Sequence, residues 1–121
     1  MDYKDLIKKV QIYSGFSDSE SKDALDCLVE TLAVRLSEPE RLYFASYLPQ
    51  ELQDMALTVY PSQGNTSKDI LRQFMEFQNV REVVAKKEIL SAWRALKDVM
   101  SKVEIEHIRG LFANNLKHLL V

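Results

Sequence analysis

Glu104-Ile105-Glu106-His107 is the string in this sequence that most nearly has the spacing of a metal-ligand pair. On a helix, a glutamate and a histidine three residues apart share a face, and two such pairs with opposing carboxylates hold the di-iron centres of helical bundles. Only one pair is present. Sixty-four residues upstream of His107, at the matching place in an internal repeat, stands Tyr43, and Glu104 has a competing task as the last residue of a Ser101-x-x-Glu104 capping box. His118 stands four residues after Asn114 near the C-terminus, where a cation interacts with the last carbonyl groups of a helix. Cys27, the single cysteine, falls beside an apolar stripe with no adjacent base, and reads as a small, partly buried filler rather than a nucleophile. Ser14, Ser17, Ser37, Ser46 and Ser101 lack a Gly-x-Ser-x-Gly setting, and three isolated glycines cannot build a phosphate loop. The sequence predicts no catalytic residue, no metal site and no cofactor.

Two other groups of residues point to binding. Lys86, Arg94 and Lys97 project from one broad face of a long helix, a spacing that suits contact with phosphates or another anion. Glu82, Glu88 and Asp98 interleave with them at distances that suit pairing within the helix, so a solvated face is the plainer reading and nucleic acid is disfavoured. Tyr43, Phe44 and Tyr47, with Leu42 and Leu48, leave a short helix apolar on more than one face. Such a helix is either deeply buried or offers its second face to a partner. These three aromatic residues are the expected interface, toward another protein or a second copy of the chain.

The elements that carry these residues occur twice. Residues 3–57 align with residues 67–121 at a constant offset of 64 without a gap, with Leu32 on Leu96, Ser37 on Ser101 and Glu40 on Glu104. Between the identities the apolar class is kept, as in Leu6/Ile70, Val10/Phe74, Tyr13/Phe77, Leu25/Ile89 and Val29/Trp93. A first helix over Tyr3–Ser14 is predicted to stop at Gly15, which takes a left-handed cap without a Cβ penalty, and Asn79 serves the same purpose in the second copy. Ser17 and Glu20 form a capping box ahead of a long helix to about Leu36, whose stripe is Leu25, Leu28, Val29, Leu32 and Leu36. The second copy supplies Ile89, Ala92, Trp93, Leu96 and Met100, and the two long helices are expected to be the central pair. Ser37-Glu38-Pro39-Glu40 opens a short helix to about Tyr47, matched by about 102–111, and Pro49 opens a fourth, matched from Phe112 onward. Residues 58–66 gather Pro, Gly, Ser and Asn as a linker, with Ser67 as a cap for the next helix.

Bulk composition agrees with one globular domain over residues 1–121. Hydrophobic residues make up 46% of the chain, and Gly and Pro are scarce at three each, which disfavours turn-rich β folds. A charged N-terminus without an apolar signal core, the lone cysteine, and the absence of a long apolar run predict a cytoplasmic protein with no membrane span. The net charge of −2 is divided unevenly: residues 3–57 carry −4, residues 67–121 carry +3 and Asp2 adds −1. Such polarity steers association more than it shapes the fold.

Tyr3-x-x-Leu6-Ile7-x-x-Val10, Glu30-Thr31-Leu32-Ala33-x-Arg35-Leu36-Ser37 and Leu48-Pro49-x-Glu51-Leu52 together resemble the uncharacterised bacterial domain-of-unknown-function family 2267. The resemblance spans essentially the whole chain and is strongest over residues 3–52, while Phe112-Ala113 and Lys97 mark drift in the second copy. It implies an all-helical fold, often of two such units, and a bacterial source, and it brings no activity, cofactor or catalytic residue. The expectation is therefore an all-α, eight-helix bundle of two tandem four-helix repeats with pseudo-two-fold symmetry, acting as a non-enzymatic protein-interaction module. Nucleic-acid binding through the basic second repeat is the alternative, with an enzyme or metal protein behind both.

Overall fold

The computed structural model describes residues 2–59, 67–112 and 119–120. Their helices are α1 (Tyr3–Ser14), α2 (Asp18–Ala33), α3 (Glu38–Ala45), α4 (Gln50–Leu57), α5 (Ser67–Gln78), α6 (Glu82–Lys97) and α7 (Lys102–Gly110), with no strand among the described residues. The fold is all-α. The helix expected from Phe112 onward falls largely on residues 113–118, and most of the linker on residues 60–66, both outside the described residues.

Backbone physics sets the helix ends. Gly15 closes α1 at φ 78°, its N–H donating to the Gln11 carbonyl at 2.8 Å, and Asn79 follows α5 at φ 53°. α5 and α6 begin and end 64 residues after α1 and α2. The capping boxes form as expected: the Ser17, Ser37 and Ser101 hydroxyls accept from the N–H groups of Glu20, Glu40 and Glu104, whose carboxylates accept in return. In the second half Arg81 stands where Ser17 stands in the first, keeping the extended backbone at ψ 164° but making no side-chain cap bond. Ser67 is the first residue of α5 rather than a cap outside it.

The long helices are shorter than their apolar pattern. α2 ends at Ala33, not Leu36, because Arg35 and Leu36 donate to Leu32 and Ala33 at 3.1 Å in a tighter turn that brings Ser37 into place as the next cap. α3 likewise ends at Ala45, with Leu48 donating to Ala45 at 2.9 Å, since the residue before Pro49 is disfavoured in helical geometry. Pro49 caps α4 from outside without a side-chain bond.

α2 and α6 pack on each other as the central pair, with α1 and α5 each lying against both, α4 against α2, and α3 against α4. The first helix of each half thus rests on the long helix of the other half as well as its own. Leu25, Leu28 and Leu32 of α2 meet Ile89, Trp93 and Leu96 of α6 in one cluster that also takes in Leu6, Val10, Ile70 and Phe74. Each such side chain stabilises the fold by about 1.5–3 kcal/mol relative to exposure. One member of the stripe departs from expectation: Phe77, the counterpart of half-buried Tyr13, is 58% exposed.

Gly15→Ala is expected to cost about 1 kcal/mol in urea unfolding, because the left-handed backbone penalises a Cβ even though nothing stands in its way. Arg81→Ser, which restores the lost cap of α6, is expected to add about 1 kcal/mol in the same measurement.

Candidate binding site

Two junctions join helices whose bounds lie 64 residues apart, one where α1 meets α6 and one where α5 meets α2. At the first, the Arg94 guanidinium sits 4.0 Å from the centroid of the Tyr13 ring, Tyr13 donates its hydroxyl to Asp98, and Lys9 pairs with Asp98 at 3.6 Å. Stacking a guanidinium on an aromatic face beside a carboxylate satisfies ring, cation and anion together. Asp98 therefore pairs across helices rather than within α6.

The second junction has the ring without the cation. Phe77 replaces Tyr13 and Glu30 replaces Arg94. Around them Asp23, Asp26, Cys27 and Gln78 line a hollow of about 360 Å³. Tyr3 donates its hydroxyl to one oxygen of Asp26 and Lys22 donates to the other at 2.9 Å. Glu30 has no cation paired with it among the described residues, and partial burial, then the nearby Asp26 carboxylate, raise its carboxyl above the usual range. Cys27 is buried at the edge of this hollow, and burial pushes its thiol up to about 12, so it is an inert filler.

The outward faces of α2 and α6 have opposite charge at two matching positions, Asp23 against Lys87 and Glu30 against Arg94, while Asp26 matches the neutral Leu90. On α6 the residues expected to contact an anion take up one side with two apolar neighbours; Val83, Lys86, Lys87, Leu90 and Arg94 are exposed and Lys97 is half-buried. Lys87 also reaches over the Phe16 ring at 5.3 Å.

Next to the acidic hollow, and sharing Asp23 and Gln78 with it, lies a second cavity of about 170 Å³ lined also by Phe16, Glu20, Val80, Val84 and Glu88. Glu88 is only 4% exposed, and its Oε1 has no hydrogen-bond partner. Burial, followed by the Glu20 and Asp23 charges, pushes its carboxyl up to about 7. Glu88 is thus not the surface pairing residue that its place in the sequence suggested.

The aromatic surface expected on the third helix is divided by the fold. Phe44 is wholly buried in the core, so it is not available to a partner. Tyr43 and Tyr47 are half-buried, joined hydroxyl to hydroxyl at 2.5 Å, with the Tyr43 ring meeting the His107 ring edge-on at 3.9 Å. That hydrogen bond, with burial behind it, pushes the Tyr47 hydroxyl up to about 12. Glu104 is engaged in its capping box and His107 in the ring contact, and no group of three metal-ligating side chains comes together among the described residues. His118 lies outside the described residues.

A model of uncharacterised conserved proteins, DUF2267, matches residues 3–119. The chain belongs to the DUF2267 family. No curated protein matches it. In this DUF2267 chain no described helix is long and apolar enough to cross a membrane. The family carries no assigned activity to test the hollow against, so its chemistry has to be read from its own side chains. Sequence reasoning passed over Asp23, Asp26, Glu30 and Phe77 as a group, because they come from two helices far apart in the chain. The signal that finds them is the repeat itself, compared for charge rather than for apolar class.

Glu88 supplies a pH signature with a definite sign. A carboxyl whose folded value lies above its unfolded one favours the folded state in acid, and that contribution is lost as pH rises from about 4.5 to about 7. The parent is expected to lose on the order of 2 kcal/mol over that window, a discounted share of the full shift since the carboxyl borders a hollow. Glu88→Gln should flatten the decline when urea unfolding is followed at pH 5, 6, 7 and 8.

Proposed function

We propose that this DUF2267 protein is a non-enzymatic interaction module that binds a basic segment of a partner protein on its acidic α2/α5 face. The observation that carries this reading is the difference between the two junctions. Where α1 meets α6, the chain's own Arg94 covers an aromatic ring; where α5 meets α2, the related ring of Phe77 is open and bordered by Asp23, Asp26 and Glu30. An arginine or lysine from a partner would supply there what Arg94 supplies at the first junction. Acid-rich surroundings also speed the encounter with a basic partner and make it sensitive to salt.

The wider architecture in this reading is two tandem repeats around a pseudo-two-fold axis, forming one domain. Its support is the shared helix bounds, the contact of α2 with α6, and the contact of Tyr43 with His107, which are equivalent positions and so meet at the axis. The buried thiol of the single cysteine accords with a reducing, cytoplasmic setting, and the family resemblance with a bacterial one. Because the α6 face carries Lys86, Lys87, Arg94 and Lys97, a second copy of the chain has the chemistry to occupy the α2/α5 face head to tail. That same basic face is what favours nucleic acid as the second reading, although Arg94 already rests on Tyr13 and lies near Asp98.

A fluorescent dodecapeptide of alternating Arg and Ser should bind with an affinity that falls steeply with salt, whereas an Asp/Ser peptide should not bind. Phe77→Ser combined with Glu30→Arg is expected to weaken the Arg peptide at least tenfold by anisotropy. Equal binding by parent and double variant would discard the face. Molar mass across a hundredfold concentration range separates self-association from a hetero-partner, and retention of the parent on DNA despite the double substitution would favour the second reading.

A further inference from the structure

The cavity beside the acidic face has the makings of a ligand site in its own right. Glu88 is buried beyond nine-tenths with an oxygen that meets no donor, and the two other charged residues lining the cavity, Glu20 and Asp23, are carboxylates. A buried acceptor left without a donor is costly, and a fold that gained nothing from it would have no use for it. The repeat makes that argument concrete: the position equivalent to Glu88 is Ala24, also wholly buried, so packing between the long helices is satisfied by a methyl group. What Glu88 lacks is a positively charged donor.

Size and lining narrow the donor further. About 170 Å³ holds the equivalent of five or six water molecules at roughly 30 Å³ each, enough for an ammonium on a short alkyl stem. Phe16 and Val84 offer apolar surface for the stem, and Lys87 already places an ammonium over the outer face of Phe16 at 5.3 Å.

We infer that this cavity binds a primary ammonium group, held by Glu88 and Asp23 with its alkyl stem against Phe16 and Val84. In its macromolecular form this inference rests on the proposed function, the ammonium being a lysine of the bound basic segment. A free alkylamine tests the cavity without that assumption. The titratable groups around Glu88 are Glu20, Asp23 and the Cys27 thiol from α2 and Lys87 on its own helix at the Phe16 ring, with Gln78 the neutral neighbour from α5. An ammonium requires the ionised carboxylate, and only the ionised fraction is competent to bind it.

The experiment is a titration of the whole chain with n-butylammonium chloride, read from backbone amide shifts at Phe16, Gln78 and Val84. Sodium chloride at equal ionic strength and n-butanol serve as controls. Saturable shifts with the amine alone are expected, with an apparent affinity about tenfold weaker at pH 6 than at pH 8 given a carboxyl that titrates at about 7. Glu88→Ala, which installs the residue of the first copy, and the isosteric Glu88→Gln should both abolish saturation. Shifts matched by either control, or retained in the variant that folds, would overturn the site. In the Phe77→Ser, Glu30→Arg protein the amine should still saturate. Loss of peptide binding by the parent with amine saturation intact would sink the interaction reading and leave the cavity standing; peptide binding without amine saturation would do the reverse.

Discussion

Everything in this molecule is arranged around the contact of α2 with α6. Each of these 16-residue helices carries an apolar stripe at 3.6-residue spacing, and each buries it against the other and against the first helices of both halves. No helix of the pair can hide its stripe alone, because a helix offers one face per neighbour and the stripes here are wide enough to need three. Burial of the apolar stripe on the inward side leaves the outward sides of α2 and α6 free to differ in charge.

That divergence is in charge, not in shape. The backbone 64 residues apart is so alike that Arg81 holds the extended cap conformation of Ser17 without a capping hydroxyl. Meanwhile Glu30 and Arg94, Asp23 and Lys87, and Ala24 and Glu88 differ in sign or polarity at equivalent places. One junction closes on itself through Arg94, Tyr13 and Asp98, and the other is left with an open ring beside Glu30, which no described cation pairs.

The helices were legible in the sequence because their signals are local. Gly15, Asn79, the three serine boxes and Pro49 act over four residues or fewer, and each was found where its backbone chemistry required. The shortening of α2 and α3 was not legible, since apolar spacing runs on through a tighter turn without interruption. The aromatic group on α3 was misread in part because three apolar rings in five residues do not reveal which points inward; Phe44 does and Tyr43 does not. Glu88 was misread for the opposite reason. Its spacing from basic neighbours suited surface pairing, and only the approach of Phe16 from the α1–α2 connection and Asp23 from α2 shows it to be enclosed.

The placement of α1 against α6 bears on how the protein is made. α1 is made before α6, yet one of the surfaces that covers Leu6 and Val10 belongs to that later helix, which does not begin until Glu82. At about 5–20 residues per second, the ribosome needs roughly 3–13 s to traverse the interval between equivalent residues. During that time the first half has α1 packed on α2 and α4, and the part of its stripe that α6 will cover faces water.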